Sequence, residues 1–188
     1  MKQAGFAAAL GVIMLLATAS VSAQQSMEEE PTLGAESQAQ EAEVTAEYED
    51  WIVRCQPAPE DAFGAGDLCE MYQQVSEQES QQTVLEAVIG YPQDAENPIA
   101  LFNLPLGMRL PPGVQLQVDE NEAIRFPIQL CLQTGCRANI ELEADLLEQL
   151  RAGTEVTLTI ADPQGRGVEL PLSLMGFSDA LDDVNPAL

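Results

Sequence analysis

The chain has 188 residues with 31 acidic against seven basic side chains, a formal net charge of −24, and no histidine. Without histidine the Ser-His-Asp and Cys-His constellations, the usual zinc sites and the commonest general base are excluded, and so negative a surface repels nucleic acid and anionic lipid. Lys2 is the only lysine, so a P-loop and Schiff-base chemistry are excluded from the body of the chain.

Residues 1–23 show the three parts of a secretory signal: Lys2, an apolar run from Phe6 to Ala17, and the small residues Val21-Ser22-Ala23 before Gln24. The run is about a dozen residues, short of the roughly 20 that span a bilayer as a helix, so cleavage is expected and no membrane span remains afterwards. The expected location is the periplasm or the exterior of the cell. Removing the signal leaves six arginines against 31 acids, a net charge of −25, which favours a soluble monomer. The acids are spread along the chain, a pattern of adaptation to salty surroundings more than of a docking surface for a basic partner.

Residues 24–47 lack aromatics, hold almost no large aliphatics and are rich in acids. Such a segment cannot bury enough surface to offset the entropy of ordering, so a disordered acidic tail is expected there. The domain is placed at residues 48–188, roughly 140 residues and enough for one core.

That domain reads as strands. Trp51, Val53 and Cys55 fall on one face, and Val84 to Ile89 is apolar on both faces apart from Glu86, as in a central strand. Val114, Leu116 and Val118 alternate with glutamines. Ile124, Phe126, Ile128 and Leu130 share a face, as do Cys136, Ala138, Ile140 and Leu142; Val156, Leu158 and Ile160; and Val168, Leu170, Leu172 and Leu174. Pro127 and Pro171 cannot donate to a ladder and predict an edge or a bulge. Reversals are expected at Pro111-Pro112-Gly113, at 119–122, at Thr134-Gly135 and at 162–165. One helix is expected over 144–151, with Leu146, Leu147 and Leu150 on one side and Gly153 as its stop. Together these elements predict an all-β fold, an antiparallel β-sandwich with one short helix and two disulfides.

Four cysteines in an exported chain point to two disulfides, and three connectivities are open. Spacing favours Cys55 with Cys69 across a Pro- and Gly-containing loop, and Cys131 with Cys136 across a tight turn. The stretch Cys131-Leu-Gln-Thr-Gly-Cys136 could instead be a redox couple. Against that, the spacing is not that of the thioredoxin motif, no helix follows to depress a thiol pKa, and the neighbourhood is acidic apart from Arg137. Asp119, Glu120 and Glu122 could gather calcium, but the Asp-x-Asp-x-Asp-Gly loop is missing and a solvated turn explains them better. Ser173 has no histidine partner and reads as strand surface. Trp51, the sole tryptophan, is in phase with Val53 and Cys55 and reads as a core aromatic before a sugar platform. No catalytic residue, metal site or cofactor is assigned.

Trp51 to Cys55, Cys69-Glu-Met71, the stretch Leu104 to Glu120, Cys131 with Gly135-Cys136-Arg-Ala138, and "LSLMGFSDAL" from Leu172 to Leu181 together resemble the invasion-associated locus B family of exported bacterial proteins. The resemblance runs from about Tyr48 to Leu181. It implies a small periplasmic or secreted β-rich domain with two disulfides and no recognised catalytic site, in a family named for association with host-cell invasion. The resulting expectation is a non-enzymatic interaction protein that meets a protein partner in the envelope or on a host cell surface, through an edge strand. The alternatives are a periplasmic thiol-disulfide protein using Cys131 and Cys136, and a small-ligand module with a cavity between its sheets.

Overall fold

The structure is a computed structural model that describes residues 42–57, 68–92 and 95–185, all within one compact unit, Ala39–Leu188. The signal segment and residues 24–41 of the expected tail lie outside the described residues. The last part of that tail does not conform to expectation. Residues Glu43–Tyr48 form strand β1, paired antiparallel with β2 (Trp51–Gln56). Its apolar side chains are few, and the strand is held by main-chain bonds to a buried neighbour, which composition does not reveal.

From β2 the sheet continues through β3 (Leu68–Ser76), β4 (Thr83–Gly90) and β5 (Ile99–Leu104). After β5 come β6 (Val114–Val118), β7 (Ile124–Phe126), β8 (Ile128–Leu132), β9 (Gly135–Glu141), α1 (Ala144–Ala152), β10 (Glu155–Ala161), β11 (Gly167–Ser173) and α2 (Phe177–Asp183). Seven strands form one sheet in the order β1-β2-β3-β4-β5-β9-β8, and four form a second in the order β11-β10-β6-β7. Every pairing is antiparallel. The apolar Val84 to Ile89 run is indeed the middle strand of the larger sheet.

The inward faces of the two sheets make one core. Trp51, Val53, Met71, Leu85, Ala87, Ile89, Ala100 and Phe102 meet Leu116, Val118, Val156, Leu158, Leu170 and Leu172, all buried. Each full burial of such an aliphatic or aromatic side chain contributes about 1.5–3 kcal/mol before entropy is counted. Phe102 of β5 and Phe126 of β7 touch across the layers with ring centroids 5.9 Å apart. The space left between the sheets beneath Trp51 and Phe102 is about 10 Å³, whereas small-molecule sites run to roughly 300–1,000 Å³. That space is too small for a ligand of such size.

The run from Ile124 to Leu130 is not one strand. Pro127 divides it, since it can neither donate to a ladder nor continue the extended pairing. Residues before it pair with β6 in the small sheet, and residues after it pair with β9 in the large one. A register shift between Ile128 and Leu130 then turns Leu130 outward, opposite the exposed Arg137. The alternation that puts Phe126 inside thus fails for Leu130. Pro171 lies on β11, an edge strand, as its missing N–H requires.

A second helix, α2, follows β11 where period-two alternation predicts none. Its buried residues Phe177, Ala180, Leu181 and Val184 recur at the helical i, i+3, i+4, i+7 spacing. Gly176 begins it at φ 82°, and a Cβ there would stand 2.0 Å from the Tyr48 carbonyl oxygen. Only glycine fits both the left-handed backbone and the contact. Arg151 near the end of α1 pairs with Asp182 of α2 at 2.6 Å. Gly153 follows α1 but is extended, at φ −80°, so it does not end the helix by the left-handed device expected from sequence. Its role is close packing, because a Cβ would meet Val118 Cγ1 at 2.6 Å.

Candidate functional site

Both cysteine pairs are bonded, Cys55 to Cys69 and Cys131 to Cys136. In each case the two residues stand directly opposite one another on neighbouring antiparallel strands, β2 with β3 and β8 with β9. The second bond closes a hairpin whose loop is Gln133-Thr134, and it ties an exposed Cys131 to a buried Cys136. The chain beyond Cys136 continues as strand to Glu141 and offers no helix N-terminus to a thiolate. The arrangement locks strand register.

The remaining residues singled out in the sequence are taken up by the scaffold. Asp119, at φ 46°, accepts bonds from Thr154 Oγ1 at 2.8 Å, Thr154 N at 3.1 Å and Glu155 N at 3.1 Å. Those bonds, the Thr154 hydroxyl first, hold its carboxyl below the usual aspartate value against a small opposing effect of burial. Its oxygens fix the β6–β7 turn to the start of β10, and among the described residues no set of three acids or cysteines converges on a metal position. Trp51 is fully buried, meets Phe177 edge-on at 5.6 Å, and donates from Nε1 to the Ser173 carbonyl at 3.0 Å. It offers no stacking face to solvent. Ser173 Oγ accepts from the Met175 N–H at 3.2 Å.

A different place is open for contact. The small sheet ends at β7, the large sheet ends at β8, and Pro127 joins the two edges, so one flank of the sandwich is formed by two edge strands in succession. An open cleft of about 560 Å³ lies there, walled by Leu110, Pro111, Pro112 and Gly113 on one side and Arg125 to Ile128 on the other. The first wall is a turn closed by the Gly113 N–H to the Leu110 carbonyl at 2.9 Å. Gly113 sits at φ 69°, and a Cβ on it would be 2.4 Å from the Phe126 carbonyl oxygen, so glycine lets the proline turn approach β7.

Leu110 in the cleft wall is 48% exposed, and Leu130 at 45% and Leu132 at 51% are exposed further along the adjoining edge strand β8. Arg125 lies in the wall with Nη2 donating to Gln115 Oε1 at 2.9 Å. Sequence reasoning names this turn and this proline but treats Leu130 as core, because the register shift that exposes it is invisible in the alternation. The usable signal is Pro127 itself, which marks where a run of alternating residues must change sheets.

The family profile described as "Invasion associated locus B (IalB) protein" matches residues 51–185. Two proteins named Invasion protein B homolog, from Brucella abortus strain 2308 and from its biovar 1 strain 9-941, are each 29% identical over 138 residues, 73% of this chain and 76% of theirs. The crystal structure of invasion associated protein b from Bartonella henselae superposes with a TM-score of 0.65 at 24% identity, covering 76% of this chain and 95% of that one. That likeness is one of fold. Among the described residues no helix is long and apolar enough to cross a membrane.

Proposed function

Because the chain belongs to the invasion associated locus B family, we propose that it is a non-enzymatic protein-binding module, exported to the bacterial envelope, that engages a protein partner there or on a host cell surface. The contact face is the flank formed by β7, Pro127 and β8. The observation that carries this reading is the exposure of Leu110 in the wall of an open cleft where both sheets end, and of Leu130 and Leu132 on the adjoining edge strand β8. Apolar side chains grouped at a surface and rimmed by polar residues are a feature of interaction sites. The relatives' names associate them with invasion, and the composition supports a role without chemistry, since the sequence holds no histidine and no lysine after Lys2.

The test is site-specific photocrosslinking in living cells. A photoreactive residue at Leu132 should give a discrete adduct that is absent when the same residue replaces the exposed Glu169 on the opposite edge, β11. Identical adduct patterns from the two positions, or none from Leu132, would remove this flank as the contact face.

A further inference from the structure

Among the described residues the two sheets have four edges, β1 and β8 on the large sheet and β11 and β7 on the small one. A free strand edge is a template for pairing with another chain, and proteins blunt such edges with charge, proline or cover. β1 carries Glu43 and Glu47, β7 carries Arg125, and β11 carries Glu169, Pro171 and the bonds from Trp51 and Gln73 at Ser173. β8 has none of these within Ile128–Leu132, and no charged residue stands anywhere from Phe126 to Cys136. In a chain with 31 acids, this edge is bare.

Its main chain faces outward at a defined place. The Cα atoms of Cys131 and Cys136 are 3.9 Å apart, the close approach of a cross-strand pair that exchanges no hydrogen bonds, since bonded pairs stand about 5.5 Å apart. At such a pair the N–H and C=O of each residue turn away from the other residue. Those of Cys136 face β5, where it is matched with Leu104. Those of Cys131 face off the sheet, because β8 has no neighbour there beside β9. Leu130 and Leu132 stand opposite Arg137 and Gly135 on the outer side of the sheet, both exposed, while Cys131 lies on the side of the buried Cys136. The disulfide already fixes the strand, so little freedom is lost when it pairs.

We propose that two copies of this chain pair through β8, antiparallel about a two-fold axis at Cys131, and so join their large sheets into one. This rests on the reading of the β7–β8 flank as a contact face and names the occupant of its β8 part. Cys131 of each copy exchanges both main-chain bonds with Cys131 of the other. Leu130 of each copy then stands opposite Leu132 of the other, and these leucines form one apolar cluster on the outer side. Gln129 falls opposite Gln133. The strand thus matches its own reversed sequence at each position, leucine with leucine and glutamine with glutamine, as an isologous two-fold contact requires. That self-match favours a second copy over a foreign strand.

The net charge opposes this contact, and by itself it predicts a monomer. Screening confines that repulsion to about 8 Å at physiological salt, and the segments that meet, Phe126 to Cys136 of each copy, bring no acid to one another. The charge therefore sets where two copies can touch. A pairing this short is weak, and salt strengthens it.

The test is sedimentation velocity of the purified protein, at low and high sodium chloride, over concentrations that detect Kd values from about 1 μM to 1 mM. A dimer that grows with concentration and tightens with salt is expected. A Leu130→Lys, Leu132→Lys double variant sets like charges opposite one another in both pairs and should weaken association by about tenfold, although it lowers the net charge. A Leu130→Lys, Leu132→Glu variant sets opposite charges there and should recover that loss. Both residues are exposed, so unchanged melting temperatures separate lost pairing from lost folding, and the wild-type concentration and salt series stands apart from either variant. A monomer at every concentration, association weakened by salt, or equal association of the two variants would each overturn the proposal. A monomer in solution together with a discrete Leu132 adduct to a different protein in cells would leave the contact face standing and remove only the self-pairing.

Discussion

Gln73 of β3 and Ser173 of β11 bond reciprocally across the two sheets: Gln73 Nε2 donates to the Ser173 carbonyl at 3.1 Å, and the Ser173 N–H donates to Gln73 Oε1 at 2.9 Å. Gln73 is the sole buried polar side chain among the described residues, at 7% exposure. Its amide acts as a substitute strand for the edge of β11, where Ser173 has no main-chain partner beyond β10. The Trp51 indole shares the same carbonyl. Two neighbouring strands of the large sheet thus cover the edge of the small one at Ser173, at the end of β11.

Replacing Gln73 by Leu should therefore cost about 1–3 kcal/mol, because the Ser173 N–H is left unpaired at a half-buried site. Urea unfolding of the two proteins checks it, and an unchanged midpoint would refute the closure. The variant should also self-associate more readily, measurable by light scattering, since an edge N–H is freed.

Trp51 makes a convenient reporter because it is the sole tryptophan of the chain. Its burial predicts blue-shifted emission that acrylamide quenches poorly in the native state, with both properties lost on unfolding. Trp51→Ala should destabilise by about 3–5 kcal/mol through the cavity it leaves beside Phe177. Trp51→Phe should cost less, mainly the bond to Ser173. Strong quenching of the native protein would contradict the packing.

Asp119 predicts a pH dependence. Its carboxyl is held below the ordinary aspartate value by the Thr154 hydroxyl and then by the N–H groups of Glu155 and Thr154. A depressed folded-state pKa contributes stability that is full above the unfolded value and is lost as pH falls through the folded one. Wild-type stability should decline on acidification below about pH 4, and Asp119→Asn should flatten that part of the curve while lowering stability at neutral pH. Asp162 acts in the same direction: burial raises its pKa, and the Arg166 main-chain bond, side-chain bond and charge together outweigh that and lower it. Equal acid slopes for wild type and Asp119→Asn would rule out the role given to Asp119.

The two disulfides should differ in effect. By loop-closure entropy, removing Cys55–Cys69, with a separation of 14, costs about 3 kcal/mol. Removing Cys131–Cys136, with a separation of 5, costs about 2 kcal/mol. Paired Cys→Ser variants followed by denaturant unfolding measure both. If the bond serves register alone, a Cys131→Ser, Cys136→Ser protein below its melting temperature keeps its crosslinking at Leu132. Loss of crosslinking in a folded variant would assign the hairpin a part in recognition.

Strand content was legible where burial is one-sided and regular. Val156, Leu158 and Ile160 are buried as their alternation demands, as are Val114, Leu116 and Val118. The central position of β4 follows from residues apolar on both faces, and the edge position of β11 from Pro171. Alternation stops being informative where main-chain pairing decides. β1 was missed because its neighbours hold it and its own composition does not, and α2 was masked by the strand pattern that runs into it, although Phe177, Ala180, Leu181 and Val184 have helical spacing. The flank proposed for contact was half legible, since its turn and Pro127 are visible in sequence and the outward turn of Leu130 is not.

By itself the sequence determined which side chains leave water and in what period, the chemistries closed to a chain without histidine, and the places where proline or glycine interrupts pairing. These are properties of single residues and their near neighbours. Only the tertiary structure decided which sheet each half of the Ile124 to Leu130 run joins, that Gln73 and Trp51 bond at Ser173, and that the register shift in β8 turns Leu130 outward. Such outcomes depend on register and on contacts between residues as many as 122 positions apart, and a shift of one residue in a strand reverses which face each side chain occupies.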